Sequence, residues 1–260
     1  MGKIISFTNQ KGGVGKTTTC INLSAYLALL GKKVLIVDVD PQGNASSGVN
    51  VEKTLKMQTI YNVMCGEAEI TDVVRLTAIK GLEIVPANVD LAGAEIELAR
   101  MNGREMNGRE RILKNCLDKI RDSYDYICID CPPSLGLLTV NALTAADSIV
   151  IPIQCEFFAL EGISQLVNTI RLIRKQGLNP TLDIEGVLAT MMVRSTLTEQ
   201  VNAEIMKYFG RKVFRTKIPR NIRLAEAPSH GQPICLYDPK CPGAKAYKEL
   251  ANELLERQPQ

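Results

Sequence analysis

One short glycine-rich stretch constrains the fold of this 260-residue chain more than any other feature. Residues 10–18 read QKGGVGKTT, directly after the apolar run KIISFTN at residues 3–9 and before a helical pattern over residues 17–30. Glycines let backbone N–H groups turn toward a phosphate, and the start of the following helix adds a favourable dipole. A strand, such a loop and a helix in that order predict a phosphate-binding loop.

The chemistry of this loop assigns roles to two of its side chains. Lys16 is expected to reach the β- and γ-phosphates of a nucleotide, and the hydroxyl of Thr17 is expected to ligate Mg²⁺. ATP and Mg²⁺ are therefore the expected cofactors. The residues predicted to surround the nucleotide phosphates are Lys11, Gly12, Gly13, Val14, Gly15, Lys16, Thr17 and Thr18.

Apolar runs of strand length alternate with helix-length amphipathic stretches along the chain. Strands are predicted at residues 3–9, 33–38, 82–86, 126–130, 148–153 and 184–191, and helices at 17–30, 161–176, 197–209 and 244–257. Near-continuous Val/Ile runs are typical of strands covered on both faces. We therefore predict an α/β fold with a single doubly wound, mostly parallel sheet and helices on both faces. No linker divides the chain, so residues 1–260 are expected to form one domain.

Carboxylates follow two of the predicted strands. Asp38 and Asp40 come directly after the run at 33–38, and Asp130 ends the run YICID at 126–130. Ligands of such sheets bind at the carboxyl ends of the strands, beside the phosphate-binding loop. A carboxylate there can hold Mg²⁺ or orient an attacking water, because phosphoryl transfer depends mainly on positioning and charge stabilisation. The cap of a surface turn remains the alternative for Asp40.

These motifs resemble those of the ParA/MinD/nitrogenase-iron-protein superfamily. The loop has Gln10 where the usual first glycine would stand, and KGGVGKT resembles the deviant Walker A motif. DVDPQGN at 38–44 resembles the switch I segment of this superfamily, and DCPP at 130–133 resembles its D-x-P-P signature. The resemblance implies that Lys11 contacts phosphates across an ATP-dependent sandwich homodimer. It also implies catalytic roles for Lys11, Lys16 and Asp40, and places Asp38 and Asp130 with Thr17 around the metal. A solvated loop lysine is the alternative for Lys11.

Two further blocks resemble the partition ATPases of the ParA/Soj family. They are EFFALEG at 156–162 and IPRNIRLAEAPSHG at 218–231. The resemblance implies that Pro219 and Asn221 lie near the adenine and that Arg220 and Arg223 contact DNA. It also implies a ParB/Spo0J-type centromere-binding partner, slow hydrolysis that this partner stimulates, and a cytoplasmic, nucleoid-associated protein.

A basic segment independently favours nucleic acid, although the net charge of +3 says little. Residues 207–223 contain seven Lys or Arg and no Asp or Glu, and Arg194, after the strand ending near Met191, is expected to extend the patch. Such a patch neutralises phosphates and gives salt-sensitive binding to double-stranded DNA of any sequence. A solvated basic face without DNA binding remains open.

Other functions fit the sequence less well. No apolar run reaches the roughly 18 residues of a membrane span, and the acidic C-terminal stretch with Glu249, Glu253 and Glu256 is unsuited to anionic lipid, so no membrane partner is expected. The alternative function is an ATP-switched positioning or division regulator, MinD-like or cargo-positioning, without DNA binding. Cys128 and Cys131 form a C-x-x-C pair within the Asp130 motif, and we expect reduced, mostly buried thiols rather than a redox or iron–sulfur site.

The sequence also contains a tandem repeat, MNGRE at residues 101–105 and again at 106–110. Two glycines within a helical pattern each cost about 1 kcal/mol relative to alanine. We therefore predict a break or loop between helices over residues 91–101 and 110–121.

Overall fold

The computed structural model describes residues 1–52, 57–100, 108–156 and 159–257. Within these ranges seven strands form one sheet, ordered β3-β4-β2-β5-β1-β6-β7. The strands are β1 (Lys3–Phe7), β2 (Val34–Asp38), β3 (Arg75–Leu76), β4 (Leu82–Val85), β5 (Tyr126–Asp130), β6 (Ser148–Gln154) and β7 (Asp183–Thr190). All neighbouring pairs are parallel except β3 with β4.

Helices connect the strands and cover the sheet. They are α1 (Lys16–Leu29), α2 (Asn44–Gly48), α3 (Ile60–Met64), α4 (Ile70–Val73), α5 (Leu91–Arg100), α6 (Ile112–Asp118), α7 (Leu137–Ala145), α8 (Ala159–Lys175), α9 (Thr196–Phe209), α10 (Ile222–Glu226), α11 (Ile234–Tyr237) and α12 (Pro242–Glu256). Across the described parts of the chain, no helix has both the length and the apolar character needed to cross a membrane.

The core consists of two apolar clusters, one on each face of the sheet. Ile4 packs into the cluster that includes α5, α6, α7 and α8, while its neighbour Ile5 packs into the cluster that includes α1 and α12. Leu35 and Ile36 of β2 divide between the same two clusters. Successive side chains of a strand point to opposite faces, so apolar residues at every position match a sheet buried on both sides. The predicted fold class is confirmed.

The parallel register brings the predicted motifs to one edge of the sheet. Asp130 at the end of β5 pairs in register with Phe7 at the end of β1 and with Asp38 at the end of β2. The loop that follows β1 and the carboxylates at the ends of β5 and β2 therefore meet, although Asp130 lies more than a hundred residues beyond the loop in sequence.

The sheet has a seventh strand that the sequence did not predict. Strand β3 has two residues, of which Leu76 is 79% exposed, and it pairs antiparallel at the edge. Helix α7 was also missed, since it is buried around most of its circumference and lacks an amphipathic pattern.

The predicted helices on either side of the MNGRE repeat are present as α5 and the shorter α6. The predicted break falls on residues 101–107, which lie outside the described residues.

Candidate nucleotide-binding site

Glycines shape the loop between β1 and α1. Gly13 and Gly15 have φ angles of 73° and 86°, in the left-handed region that favours glycine. Gly15 is the N-cap residue of α1, and no side chain caps the helix there. The first N–H groups of α1 are therefore left to a ligand, and together with the helix dipole they favour an anion. Lys16, Thr17 and Thr18 form the first helical turn.

The remaining loop residues divide between solvent and protein. Gly12 is exposed, and a β-carbon added there would have Pro133 as its nearest neighbour at 3.9 Å. Val14 is 1% exposed, and its carbonyl accepts a hydrogen bond from the Thr190 hydroxyl at 2.8 Å. One side of the loop is thus open and the other is held against the end of β7.

Lys16 lies in the cradle, largely buried. It is 6% exposed, and its Nζ donates to the backbone oxygen of Lys11 at 3.2 Å. Burial lowers the pKa of Lys16, and the negative charge of Asp130 offsets part of that shift. A buried ammonium bonded only weakly to a carbonyl is a strong potential donor to phosphate oxygens.

Lys11 points away from this cradle. Its Nζ forms an ion pair of 2.6 Å with Glu156, just after β6. Its backbone N–H donates to Asn9, whose amide in turn donates to the Pro152 oxygen at 2.7 Å. The Lys11 side chain therefore does not line the phosphate cradle of its own chain. The contacts of Glu156 and Asn9 with Lys11 were not predicted from the sequence.

Asp38 is a buried carboxylate held by a short network. Its Oδ2 accepts from the backbone N–H and the hydroxyl of Ser46 at 2.9 and 2.7 Å, and its Oδ1 accepts from the Asp40 N–H at 3.2 Å. The Ser46 hydroxyl also accepts from the Ala87 N–H, which ties α2 to the end of β4. Burial raises the pKa of Asp38, and the Ser46 hydrogen bonds offset part of the rise.

Asp130 is buried without such support. Neither of its oxygens accepts a hydrogen bond from the parts of the chain that the structure describes. Burial raises the pKa of Asp130 well above its usual range, and the charge of Asp38 adds to the rise. The Thr17 side chain is close enough to offset part of this shift without meeting the geometry of a hydrogen bond.

These residues fit a magnesium ion. Mg²⁺ prefers oxygen ligands and takes several of them from water and substrate phosphates. The unpartnered oxygens of Asp130, the adjacent Asp38 and the Thr17 hydroxyl provide such ligands next to the cradle. The described residues contain no group of three or more His, Cys, Asp or Glu that could hold a metal by itself. The protein's oxygens are thus suited to a metal that a nucleotide helps to bind.

Asp40 lies two residues beyond Asp38. It is 7% exposed, and its Oδ1 accepts from the Gln42 N–H at 2.9 Å. This bond caps a turn, as the alternative interpretation of Asp40 required. The carboxylate is also close enough to offset part of the lowered pKa of Lys16, so the same side chain borders the cradle.

A cavity of about 420 Å³ adjoins the phosphate cradle. It is lined by Gly15, Thr18, Thr190, Met191, Ile218, Pro219, Arg220, Asn221, Ile222, Leu224, Ala225 and Tyr247. Its volume is in the range of small-molecule sites. The structure therefore brings Pro219 and Asn221 beside Gly15, and their contact with adenine stays a prediction. The Asn221 Oδ1 accepts from the Arg223 N–H at 3.1 Å and begins α10, which leaves its amide N–H₂ as a donor.

The three predicted DNA-binding arginines are Arg194, Arg220 and Arg223, and all are exposed. Arg223 is already paired with Glu226 at 3.0 Å and with Asp238 at 3.5 Å. Arg220 lines the cavity just described and therefore lies at the nucleotide end of the molecule. All three arginines are thus available to solvent, but Arg223 already has carboxylate partners.

The basic segment of residues 207–223 extends along the sheet. Lys212 pairs with Asp183 at the start of β7, whereas the Arg220 N–H bonds to Met192 beyond its end. At about 3.3 Å per residue, these points are roughly 30 Å apart. Lys207 and Arg215 also have carboxylate partners. The run that looks continuous in sequence is spread out and partly neutralised.

The cysteines are free thiols, five of them buried and three partly buried. All eight are free, and Cys128 and Cys131 are each 0% exposed. Burial raises the pKa of both to about 12. Redox-active C-x-x-C pairs need a lowered thiol pKa, so this pair belongs to the core.

Comparison with known proteins identifies close relatives. A protein-family model described as an AAA domain matches residues 2–184. The sporulation initiation inhibitor protein Soj of Bacillus subtilis is 56% identical over 255 residues, which cover 98% of each chain. The chromosome-partitioning ATPase Soj of Treponema pallidum is 50% identical over 258 residues, 99% of this chain and 98% of that one.

Solved structures share the fold. Cobyrinic acid a,c-diamide synthase from Mycobacterium smegmatis, with bound ADP and magnesium, superposes with a TM-score of 0.84 at 36% identity. The match covers 98% of this chain and 95% of that chain. Both Soj proteins are closer to this chain in sequence than the synthase is.

Proposed function

Because the chain belongs to the Soj/ParA family of chromosome-partitioning ATPases, we propose that it is a Mg²⁺-dependent ATPase that segregates DNA. Residues 1–260 act as one ATPase domain in this proposal. The observation that carries it is the meeting of a phosphate cradle, two buried carboxylates and a cavity large enough for a base at one edge of the sheet.

In this function each part of the site has a separate task. The first turn of α1 and the Lys16 ammonium hold the phosphates, and Pro219 and Asn221 hold the adenine. Thr17, Asp38 and Asp130 hold Mg²⁺, which when bound neutralises charge on the transferring phosphoryl group. Asp40 orients the attacking water. Hydrolysis is slow, since the residues assigned to this site include neither an arginine finger nor a strong base.

ATP binding drives two copies together face to face, and Lys11 of each copy contacts the phosphates of the other. The orientation of Lys11, away from its own cradle and toward Glu156, is compatible with a contact made in a dimer. Before that contact forms, the Lys11–Glu156 ion pair must open. Lys11 is then a catalytic residue that each chain supplies to its partner.

The dimer binds double-stranded DNA of any sequence through Arg194, Arg220 and Arg223. Hydrolysis returns the protein to a monomer that releases the DNA, and a ParB/Spo0J-type partner stimulates this step. The protein is then cytoplasmic and associated with the nucleoid. The exposure of the three arginines supports the DNA contact, and the stimulating partner rests on the family alone.

The test measures binding to a random DNA duplex by anisotropy. Binding is compared without nucleotide, with ADP-Mg²⁺ and with ATP-Mg²⁺, each over a salt series. We expect binding that requires ATP and that falls steeply as salt rises, because counterions are released from phosphates. Equal binding in all nucleotide states, or none in any, would contradict the DNA-segregation function.

One observation favours a second candidate, an ATP-switched positioning or division regulator that does not bind DNA. Four of the seven basic residues in the segment have carboxylate partners within the chain, namely Lys207, Lys212, Arg215 and Arg223. ATP-dependent dimers without DNA affinity would support this candidate, and liposome co-sedimentation would separate a membrane-bound regulator from the rest.

A further inference from the structure

The hydrogen bond between Thr190 and Val14 joins two distant parts of the site. Thr190 is the last residue of β7 and is 2% exposed, and its hydroxyl donates to the Val14 carbonyl at 2.8 Å. The two residues are 176 positions apart in sequence. Val14 is itself 1% exposed, so water has little access to this carbonyl in place of Thr190.

The direction of this carbonyl determines the direction of an N–H group. The Val14 carbonyl belongs to the same planar trans peptide unit as the Gly15 N–H, and the two groups point in opposite directions. Because the carbonyl points to Thr190 at the end of β7, the Gly15 N–H points to the other side of the loop. Phosphate-binding loops use such backbone N–H groups to hold phosphate oxygens.

The glycine that follows Val14 makes this orientation dependent on an external contact. Gly15 has a positive φ of 86°, and glycine has more conformational freedom than any other residue. The peptide between Val14 and Gly15 can therefore turn more easily than one between ordinary residues. A β-carbon at Gly15 would lie 3.7 Å from the Thr190 methyl group, so the Thr190 side chain packs against the loop as well as bonding to it.

Thr190 is also part of the wall that faces the base. The next residue, Met191, has a φ of 50°, and both residues line the 420 Å³ cavity. The Met192 N–H bonds to the Ile218 oxygen, which leads into Pro219. The same short segment thus supports the adenine wall through its backbone and the phosphate loop through one hydroxyl.

We infer that Thr190 is a positioning residue for phosphate binding, acting through the orientation of the Gly15 N–H. This inference rests on the proposed nucleotide-binding function. A hydroxyl is required to orient the peptide, and the γ-methyl group is required only for packing. Valine has the shape of threonine without the donor, and serine has the donor without the methyl group, so the two substitutions separate these contributions.

The experiment compares Thr190→Val and Thr190→Ser with the unaltered protein. Affinity for a fluorescent ADP analogue is measured with Mg²⁺, and unlabelled adenosine serves as a competitor that has no phosphate. We expect Thr190→Val to weaken ADP binding about tenfold, because the Gly15 N–H would no longer be aligned to donate a hydrogen bond to the charged phosphate. Thr190→Ser should stay within about threefold of the unaltered protein, and adenosine should bind equally to all three.

Three results would overturn the inference. They are unchanged ADP binding in Thr190→Val, an equal loss of ADP and adenosine affinity, or a serine variant as weak as the valine variant. If Thr190→Val does not fold, comparing ADP binding by Thr190→Ala and Thr190→Ser tests the contribution of the hydroxyl instead. Absence of ADP binding by the unaltered protein would instead refute the proposed function.

Discussion

The nucleotide end of the sheet and the basic segment of residues 207–223 carry their charges in opposite ways. At the nucleotide end, Lys16, Asp38 and Asp130 are buried and converge from three separate parts of the chain. In the basic segment the charged residues are near one another in sequence, yet they spread along β7, and several pair with nearby carboxylates.

The difference shows which function each region can perform alone. Buried charges without good partners destabilise the empty protein, and a ligand that pairs with them restores the stability. Exposed ion pairs contribute about 0–1 kcal/mol each, so DNA phosphates can displace them readily but gain little from any single one. Nucleotide binding is therefore built into one chain, whereas the proposed DNA binding would depend on several weak contacts acting together.

The largest expected effect comes from removing the buried cation. Lys16→Ala should weaken ADP-Mg²⁺ binding by the order of a thousandfold, since truncating a buried charge that contacts an opposite charge costs about 2–5 kcal/mol. Isothermal titration calorimetry measures this loss. Lys80→Ala, an exposed lysine before β4, is the control and should bind as before. Retained affinity in Lys16→Ala would refute its placement at the phosphates.

Asp40→Ala should separate binding from turnover. We expect ATP affinity within about twofold of the unaltered protein and a steady-state hydrolysis rate lowered by the order of a hundredfold, as loss of a group that orients the nucleophile implies. Phosphate release under saturating ATP measures the rate. Normal turnover in this variant would leave Asp40 with the turn-capping role alone.

Charge reversal in the basic segment should show which end of it binds DNA. Arg220→Glu/Arg223→Glu should weaken ATP-dependent DNA binding roughly thirtyfold. The slope of log affinity against log salt concentration should fall in magnitude by about two, one for each phosphate that these arginines no longer neutralise. Lys207→Glu/Lys212→Glu makes the same charge change near the start of β7 and serves as the control. Equal effects of both pairs would mean that net charge, and not position, decides DNA binding.

Asp130→Asn should stabilise the nucleotide-free protein. Burial raises the folded-state pKa of Asp130 above that of the unfolded chain. The contribution of Asp130 to folding stability is therefore largest below about pH 4, where its carboxyl group is protonated in the folded and unfolded chain alike. This contribution is lost as the pH rises through the raised folded-state pKa. We expect Asp130→Asn to gain about 1–2 kcal/mol at pH 8 and less at pH 5. Urea unfolding at both pH values tests this, with exposed Asp118→Asn as control; an equal gain at both would contradict it.

The smallest expected effect concerns the ion pair of Lys11. Its two side chains are 40% and 49% exposed, so opening it requires little free energy. Glu156→Gln should tighten ATP-dependent dimerisation by about two- to fivefold, because the Lys11 ammonium is then free to contact the other chain. Analytical ultracentrifugation of Glu156→Gln at several ATP concentrations measures this change, and weaker dimerisation would indicate that Glu156 is needed in the dimer itself.

The parts of the site that depend on strand order could be predicted from the sequence. The strands ending at Asp38 and Asp130 are continuous apolar runs, and parallel strands place their carboxyl ends together. The contacts of Ser46 and Thr190 could not be predicted, because each depends on the path of a loop. Neither residue stands in a pattern that differs from that of an ordinary serine or threonine.

The charge of the basic segment could be counted from the sequence, but the pairing of that charge could not be predicted. Its composition is evident in the sequence, but the partners of Lys212 and Arg215 come from Asp183 and α12, elsewhere in the chain. Glu253 of α12 also accepts from two successive backbone N–H groups, those of Arg215 and Thr216. Charge counted along a sequence therefore overstates the charge available to a ligand.

The position of Arg220 gives the two ligands a reciprocal relation. This residue lines the cavity proposed for adenine and belongs to the surface proposed for DNA. Thermodynamic linkage then requires that DNA change the affinity for ATP by the same factor by which ATP changes the affinity for DNA. If ATP strengthens DNA binding as proposed, chains bound to DNA would have a higher affinity for ATP than free chains, so more of them would carry ATP at the same nucleotide concentration.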